Sequence, residues 1–506
     1  MSTKLKIGWS CKDISTLEPT SIHGQFYLRV SEGILDPITV TALIIDNGKE
    51  QIAMLSCDVT SLGCEIVKKI RAKVCALAPE VDAAKLILNA THTHCTGDVN
   101  GAGMAHPGRD YPLDPSIKIM PSEDYQELLS DACAAAVAEA WAGRKPGGIA
   151  WGYGYAVVSH SRKTWYLDDL SQRPGHGTTS GMAVNGHACM YGNTNDDQFS
   201  HYEAGADHFV NLLFTFDEKN TLTGAIINVP CPSQNSETMT KLTADYWHDV
   251  RVMLKKQYGD INILPQCAPA GDLSPRILHY KEAQARRYRL KYGQRPEAFR
   301  EEYSRKDIAE RICTAFTEVL SWAQNDIRNS AKIKNSCEQI DLSLRPISEA
   351  EFENEQVLYQ EMQAQPFATE GTPRERLRAD SVLAARRNRS LGFMKRYERY
   401  KRGERFHTEL HVLAIDDIAF VTSPFELYMD FMHRIQARSP FTQTFNIQLT
   451  GNEYEPRSGY LATERGQQGG GYSSSRYCNV VSPQGGQELV EATLTRLKAL
   501  FEALNP

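Results

Sequence analysis

Residues 85–94 read Lys-Leu-Ile-Leu-Asn-Ala-Thr-His-Thr-His, an apolar run that ends in two histidines separated by a threonine. Side chains two apart on a strand point to the same face, so His92 and His94 are predicted to project together from a strand end. Neutral imidazole is the commonest metal ligand, and the Cys-Thr-Gly-Asp that follows has the composition of a pocket loop. The pattern indicates a metal site, although two strand-end histidines bonded to nearby backbone would show the same sequence.

The segments around this run alternate between strand and helix. Asn-Gly at 47–48, between two apolar runs, predicts a hairpin over 37–57. A helix at 64–78 and a strand at 85–89 follow. Further along, the patterns predict a helix at 122–142, a hairpin over 208–230 turning near Lys219-Asn220, a helix at 244–257 and a strand at 262–264. This order predicts an α/β fold of mixed sheets with packed helices.

The composition changes after Tyr280. Residues 281–325 and 348–403 are rich in Arg, Glu, Gln and Ala and predict long helices, so 281–405 is interpreted as a helical elaboration of a single catalytic domain spanning 1–506. The basic stretch 374–405 is interpreted as a solvated helical face balanced by the acidic run 349–361 rather than as a nucleic-acid surface. Strands are predicted again at 407–414 and 418–422, a flexible loop at 466–475, and a last helix at 485–504.

Composition narrows the class of protein. The 506 residues carry a net charge of −6, with 41% hydrophobic and 23% charged residues, which is ordinary for a globular protein and gives no reason to expect nucleic acid. No apolar run reaches the ~20 residues of a membrane span, and the first residues lack a signal-peptide core, so a cytoplasmic location is predicted. The twelve cysteines show no regular spacing and are interpreted as reduced. Cys95 and Cys231 stand beside candidate site residues.

Five segments, in order along the chain, resemble the N-terminal catalytic domain of the neutral/alkaline (non-lysosomal) ceramidases, a family of zinc amidohydrolases. They are Arg-Val-Ser-Glu-Gly-Ile-Leu-Asp-Pro (29–37), Thr-His-Thr-His (91–94), Gly-Asp-Leu-Ser-Pro (271–275), Ser-Pro-Phe-Glu (423–426) and Gly-Tyr-Leu-Ala-Thr-Glu (459–464). The resemblance implies a ceramidase-like fold with one Zn²⁺ per chain. His92, Glu426 and Tyr460 match zinc ligands, His94 would lie close to the substrate, and Ser274 matches a serine once assigned as the nucleophile.

The sequence departs from the family at the second zinc histidine, where residues 230–237 read Pro-Cys-Pro-Ser-Gln-Asn-Ser-Glu. Tight pairing in the 208–230 hairpin would set position 208 opposite position 231, so His208 is the predicted replacement. His248, at a helix start, is the second candidate. Otherwise Cys231 holds the metal, or the metal is lost.

These observations predict a zinc-dependent hydrolase that cleaves an amide (N-acyl) bond with metal-activated water, while Tyr460 or His94 stabilises the oxyanion. Ser274 would need a nearby base to act as a nucleophile, and a loop serine that bonds backbone or substrate is the alternative. The expected substrate is a small-molecule or lipid-like acyl amide other than membrane ceramide, because the chain leaves no room for the family's C-terminal immunoglobulin-like domain and export is not indicated. A metal-dependent hydrolase of a glycoside or ester, and a non-catalytic binding protein that has lost the metal, are the alternatives. The sequence specifies neither the substrate nor the oligomeric state.

Overall fold

The computed structural model describes residues 3–100, 105–174, 186–293, 300–456 and 458–505. The strands, in chain order, are β1 (Thr3–Asp13), β2 (Ser21–Ile22), β3 (Arg29–Val30), β4 (Thr39–Asp46), β5 (Gln51–Cys57), β6 (Ile87–Ala90), β7 (Lys145–Tyr155), β8 (His160–Ser161), β9 (Lys163–Tyr166), β10 (Ala188–Met190), β11 (Phe199–Tyr202), β12 (Phe209–Asp217), β13 (Leu222–Val229), β14 (Asn262–Cys267), β15 (Leu273–Ser274), β16 (Ser330–Ala331), β17 (Ile333–Leu342), β18 (Phe406–Ile415), β19 (Ile418–Thr422), β20 (Glu426–Leu427), β21 (Gln443–Ile447) and β22 (Tyr460–Leu461). The helices are α1 (Cys64–Leu77), α2 (Ser122–Ala142), α3 (Tyr246–Tyr258), α4 (Lys281–Tyr292), α5 (Arg300–Ala323), α6 (Glu349–Ala364), α7 (Pro373–Lys401), α8 (Met429–Gln436), α9 (Glu464–Gly469) and α10 (Pro483–Leu504).

Two sheets form the centre of the molecule. The large sheet has the order β14-β13-β12-β7-β1-β4-β5-β6, with β16 paired to β1, and the second sheet has the order β17-β18-β19-β21. Most neighbours are antiparallel, but β5 with β6, β13 with β14, and β19 with β21 are parallel. At Gly48 the β4–β5 turn has a φ of 78°, a value that glycine adopts without strain, as the Asn-Gly signal predicts.

The two sheets pack face to face, and helices cover their outer faces. The core between the sheets is built of aliphatic and aromatic side chains such as Leu43 and Ile226 from the large sheet and Phe420 and Phe445 from the second. Helices α1, α2, α3 and α5 pack on the other face of the large sheet, and α8 and α10 pack on the other face of the second. The result is a four-layer α/β/β/α arrangement, which confirms the predicted α/β fold of mixed sheets with packed helices.

The interval 281–405 contains α4, α5, α6 and α7, but it is not helical throughout. Between α5 and α6 lies β17, which pairs with β18 along its whole length and so joins the interval to the second sheet. Apolar residues of α5, including Ile312 and Phe316, pack in the same core as the large sheet. On α7, the Ser381 hydroxyl accepts a hydrogen bond from the backbone N–H of Leu28, close to the first family-like motif. The separate role of this interval as an elaboration stays a prediction.

One local prediction is wrong. The glycine-rich stretch 466–475 was expected to be a flexible loop, but its first part belongs to α9, which Thr463 caps by accepting a hydrogen bond from the Gly466 N–H. A Cβ on Gly466 would lie 2.6 Å from the Tyr428 ring, and one on Gly469 would lie 2.5 Å from the Trp165 ring. These glycines therefore allow close packing rather than mobility.

Two further findings concern the whole chain. All twelve cysteines are free, as the scattered spacing predicts. Over the described ranges, no helix is both long and apolar enough to cross a bilayer.

Candidate active site

The His92 side chain is positioned by a loop and not by a strand. β6 ends at Ala90, and His92 has a φ of 68°, in the left-handed region. Strand alternation, the predicted reason for the two histidines to point together, therefore does not apply. The Thr60 carbonyl can only accept, so His92 Nδ1 carries the hydrogen of their 2.8 Å bond. This bond orients the ring and turns Nε2 toward a buried centre.

Glu426 and Tyr460 reach the same centre from two short parallel strands. β20 and β22 pair with Glu426 opposite Tyr460, and the Glu426 N–H donates to the Gly459 carbonyl at 2.9 Å. Glu426 Oε2 lies 3.3 Å from His92 Nε2. Residues 92, 426 and 460, far apart in the sequence, are thus brought together.

The electrostatics at this centre are those of a buried pair of opposite charges. Burial alone would raise the pKa of Glu426, but His92, Arg162 and Tyr460 lower it to about 2, so the group is a carboxylate. Burial alone would lower the pKa of His92, and the Glu426 charge reverses this and raises it. Because Nδ1 of His92 already carries a hydrogen, only a second proton or a metal ion on Nε2 avoids contact between a bare lone pair and a carboxylate.

Arg162 is a site residue that sequence reasoning missed. Its guanidinium lies 4.8 Å from the centre of the Tyr460 ring, and the residue is only 2% exposed. In the described part of the chain, Nε and Nη2 have no hydrogen-bond partner. A buried cation with free donors is costly unless an anion or a polarised oxygen reaches it. Nothing in the local sequence distinguishes this arginine from the others.

His94 lies on the other side of His92, with the two Nε2 atoms 3.3 Å apart. Its Nδ1 is 3.5 Å from a Glu237 oxygen, and Glu237 also pairs with Arg276. The Gln234 amide donates to His94 Nε2 at 3.0 Å. Burial is the main cause that lowers the pKa of His94 to about 4, so this imidazole is neutral. Gln234 and Glu237 were not singled out from the sequence, although they follow the strand end that lacks the family's histidine.

Ser274 is fully buried. Its backbone pairs with His160 across β8 and β15, and its hydroxyl accepts a hydrogen bond from the Arg276 N–H at 3.2 Å. The hydroxyl thus bonds to backbone, as the loop-serine alternative expects. Its catalytic role stays a prediction.

Three residues are candidates for the place of the family's second zinc histidine. His208 and Cys231 lie at the open end of the β12–β13 hairpin, and His248 lies on α3. Asn211 pairs with Asn228, and carrying this register on sets position 208 opposite position 231, as predicted. His208 lies near His160, whose pKa is lowered to about 4, chiefly by burial and then by His208 and His279. The Cys231 thiol is 3.3 Å from the Val158 carbonyl.

His248 is in the first turn of α3, where its N–H donates to the Asp245 carbonyl. Among the described residues, one set of at least three His, Cys, Asp or Glu side chains has its ligand atoms all within 4.8 Å of one another, and that set does not include His92. Within the described part of the chain, no further histidine, cysteine or carboxylate therefore completes such a set with His92 and Glu426, and His208 stays a prediction.

The packing of the loop at 271–275 explains why the Gly-Asp-Leu-Ser-Pro motif begins with a glycine. The Gly271 N–H donates to the Leu427 carbonyl at 2.8 Å, and a Cβ at Gly271 would lie 2.3 Å from the Glu426 carbonyl oxygen. A side chain here would push against backbone, which cannot rotate away. The motif therefore supports the turn that carries Glu426.

We expect Gly271→Ala to lower the free energy of unfolding by about 1–3 kcal/mol, because the methyl group must displace the Glu426 turn. Zinc retention should fall as well. Gly205→Ala is the matched control, since a Cβ there meets no atom within 4 Å. Urea unfolding and metal analysis of both variants test this, and equal stability of the two would contradict it.

The sequence matches no family model and no curated protein. Among solved structures, the chain is similar to the crystal structure of neutral ceramidase from Pseudomonas aeruginosa, with 14% identity and a TM-score of 0.67 over 99% of this chain and 75% of that one. It is also similar to a ceramidase complexed with C2, with 13% identity and a TM-score of 0.65 over 99% of this chain and 76% of that one. At these identities the likeness shows the fold alone. That fold is ceramidase-like, as the five motifs predict.

Proposed function

We propose that this chain is a zinc-dependent hydrolase that cleaves an amide (N-acyl) bond. The observation that carries the proposal is the meeting of His92, Glu426 and Tyr460 at one buried centre, with Nε2 and Oε2 3.3 Å apart. Two donors at zinc distances of 2.0–2.2 Å lie about 3.3 Å apart in a tetrahedral site. Nitrogen, carboxylate and phenol donors suit zinc, and the spacing of the His92 and Glu426 donors fits it.

The side chains around the metal would stabilise the negative charge that develops during the reaction and would transfer protons. When bound, zinc lowers the pKa of a water to about 7 and polarises a carbonyl. Arg162 Nε and Nη2 are buried and have no hydrogen-bond partner among the described residues, so they would donate to an oxygen that gains negative charge as the amide is attacked. Neutral His94 would be available to accept a proton at Nε2, and the Glu237 carboxylate, 3.5 Å from Nδ1, would stabilise the positive charge that the ring then carries.

The proposed class of substrate rests on the similarity of the fold to ceramidases and on a cavity beside the site. Ceramidases act on an N-acyl bond. A cavity of about 230 Å³ adjoins the loop of His23, next to Gly24, whose added Cβ would meet the His94 ring. Apolar side chains such as Phe26 and Leu28 line much of this cavity, and α7 contributes Ala385. It would accept an acyl group, and part of the 281–405 interval would shape its wall.

We propose that the other half of the substrate is more polar than membrane ceramide. The Glu237–Arg276 pair borders His94, and charged groups are unsuited to a second long hydrocarbon chain. An acyl amide with a small polar amine part fits better, and a cytoplasmic location, predicted from the sequence, would agree with such a substrate.

The test combines metal analysis with a substrate panel. Protein purified under metal-replete conditions is expected to hold zinc and to release fatty acid from N-acyl amides faster than from matched esters or glycosides. Turnover of only the ester or glycoside would favour the other hydrolases. Protein without zinc and without turnover would indicate a binding protein.

The fourth zinc ligand is tested separately. His208→Ala is expected to reduce bound zinc if that histidine moves into the site when the metal binds. Loss of zinc in His248→Ala, with His208→Ala unchanged, would assign the place to the helix-borne histidine. Loss in neither variant would leave the place to a group already at the centre.

A further inference from the structure

A second cluster of metal-ligating side chains lies on the second sheet. Cys337, Glu409 and His411 are the group whose ligand atoms all lie within 4.8 Å of one another in the described part of the chain. Cys337 on β17 pairs with His411 on β18, and Glu409, two residues earlier, points to the same face. None of these residues belongs to the candidate active site.

Hydrogen bonds alone cannot satisfy both of the close contacts that His411 Nε2 makes. Its Nε2 lies 3.5 Å from Cys337 Sγ and 3.1 Å from Glu409 Oε2. One ring nitrogen cannot donate its hydrogen to the carboxylate and also accept one from the thiol. A cation bound between the three atoms satisfies all of them at once.

The spacing fits a zinc-sized ion. With Zn–S near 2.3 Å and Zn–N near 2.0–2.1 Å, a tetrahedral site sets sulfur and nitrogen about 3.5 Å apart and nitrogen and oxygen about 3.3 Å apart. The observed separations are 3.5 and 3.1 Å. Only small side-chain shifts would be needed to admit the ion.

Arg71 on α1 fixes the position of the Glu409 carboxylate. Its two terminal nitrogens lie 2.8 and 2.7 Å from the two oxygens of Glu409. Glu453 contacts Arg71 at 2.9 Å, and its N–H donates to Glu409 at 3.0 Å. These two hydrogen bonds from Arg71 leave one lone pair of Glu409 Oε2 free to face His411. Such fixing of a ligand by a neighbouring group is typical of metal sites.

The charges balance when a divalent ion is added. Arg71 contributes one positive charge, and Glu409, Glu453 and a Cys337 thiolate contribute three negative charges. A divalent cation brings the sum to zero, which matters because Glu409 and His411 are only 7% and 1% exposed. Cys337 is only partly buried, so an ion and a solvent ligand can reach the site.

We propose that Cys337, Glu409 and His411 bind a second transition-metal ion, zinc or a similar borderline metal, with solvent in the remaining position. Thiolate and imidazole ligands select such ions over magnesium and calcium. Binding replaces the thiol proton by a metal–sulfur bond, and the proton passes to solvent. The ion would tie β17 and β18, through Glu409 and Arg71, to the middle of α1. This site is independent of the proposed hydrolase function.

Cobalt titration of the metal-free full-length chain tests the proposal. At saturation, a thiolate-to-cobalt charge-transfer band with the intensity of one cobalt–thiolate bond per chain is expected, and equilibrium dialysis should show a second zinc in addition to the one proposed at His92. Cys337→Ser should lose the band and one zinc. Cys75→Ser, at an exposed cysteine, is the matched control and should keep both.

His92→Ala separates the two sites, because it should lose its own metal and keep the band. Saturating cobalt without a thiolate band in the wild-type chain would overturn the proposal, and that result needs no variant to fold. A band that persists unchanged in Cys337→Ser would overturn it too.

Discussion

His92→Ala is expected to lose the active-site zinc and the hydrolase activity together, with turnover falling by about 10³-fold or more, since the metal supplies several kcal/mol of transition-state stabilisation. The ring is held by Thr60 on one side and meets Glu426 on the other, so its removal takes away the nitrogen donor that faces the Glu426 carboxylate. Metal analysis and turnover of the same preparation measure both effects.

His201→Ala is the matched control, because that histidine is exposed and stacks on the Trp165 ring on the β11 side of its sheet. It should keep zinc and turnover. Thermal unfolding of both variants shows whether the fold survives. If folded His92→Ala keeps its activity, the proposed zinc chemistry is wrong.

Arg251→Ala is expected to lower the free energy of unfolding by about 3–5 kcal/mol, because it leaves a buried carboxylate without its counter-charge. Arg251 Nη1 and Nη2 lie 2.7 and 3.1 Å from the oxygens of Asp58, whose side chain is fully buried. The Thr39 N–H and hydroxyl also donate to that carboxylate. Asp58 directly follows β5 and lies two residues before Thr60, so the pair also supports the loop that orients His92.

Arg438→Ala is the control for Arg251→Ala. Arg438 pairs with Glu491 at 2.6 Å, but both side chains are about half exposed, so the loss should stay below about 1 kcal/mol. Urea unfolding gives both values. The double change Arg251→Ala with Asp58→Asn should recover part of the lost stability, because the uncompensated charge is removed. Equal effects of the two single variants would contradict the prediction.

Local sequence signals were sufficient for most of the secondary structure. The hairpin around Gly48 and the helices α1, α2 and α10 are found within a few residues of their predicted ends. In each case turn chemistry or apolar periodicity within about 20 residues carries the information. The prediction of a flexible loop at 466–475 was wrong because Gly466 and Gly469 pack against the rings of Tyr428 and Trp165. No local sequence pattern reveals these contacts.

In the candidate site, too, the sequence indicated some features and the tertiary structure decided others. The motif at 91–94 and its ordered partners indicated His92, Glu426 and Tyr460 through their resemblance to the ceramidase motifs. How these groups meet was decided by the tertiary structure: a left-handed residue and the Thr60 carbonyl orient His92, where strand alternation had been expected.

The amino-acid sequence by itself determined the α/β class, most of the elements and the residue types at the centre, because these depend on periodicity, turns and motifs within short segments. Only the tertiary structure placed Arg162 beside Tyr460, Glu237 beside His94, and Cys337 beside His411. Each of these contacts joins residues more than 70 positions apart. Their roles come from burial and from neighbouring charges, which arise only when the sheets and loops pack together.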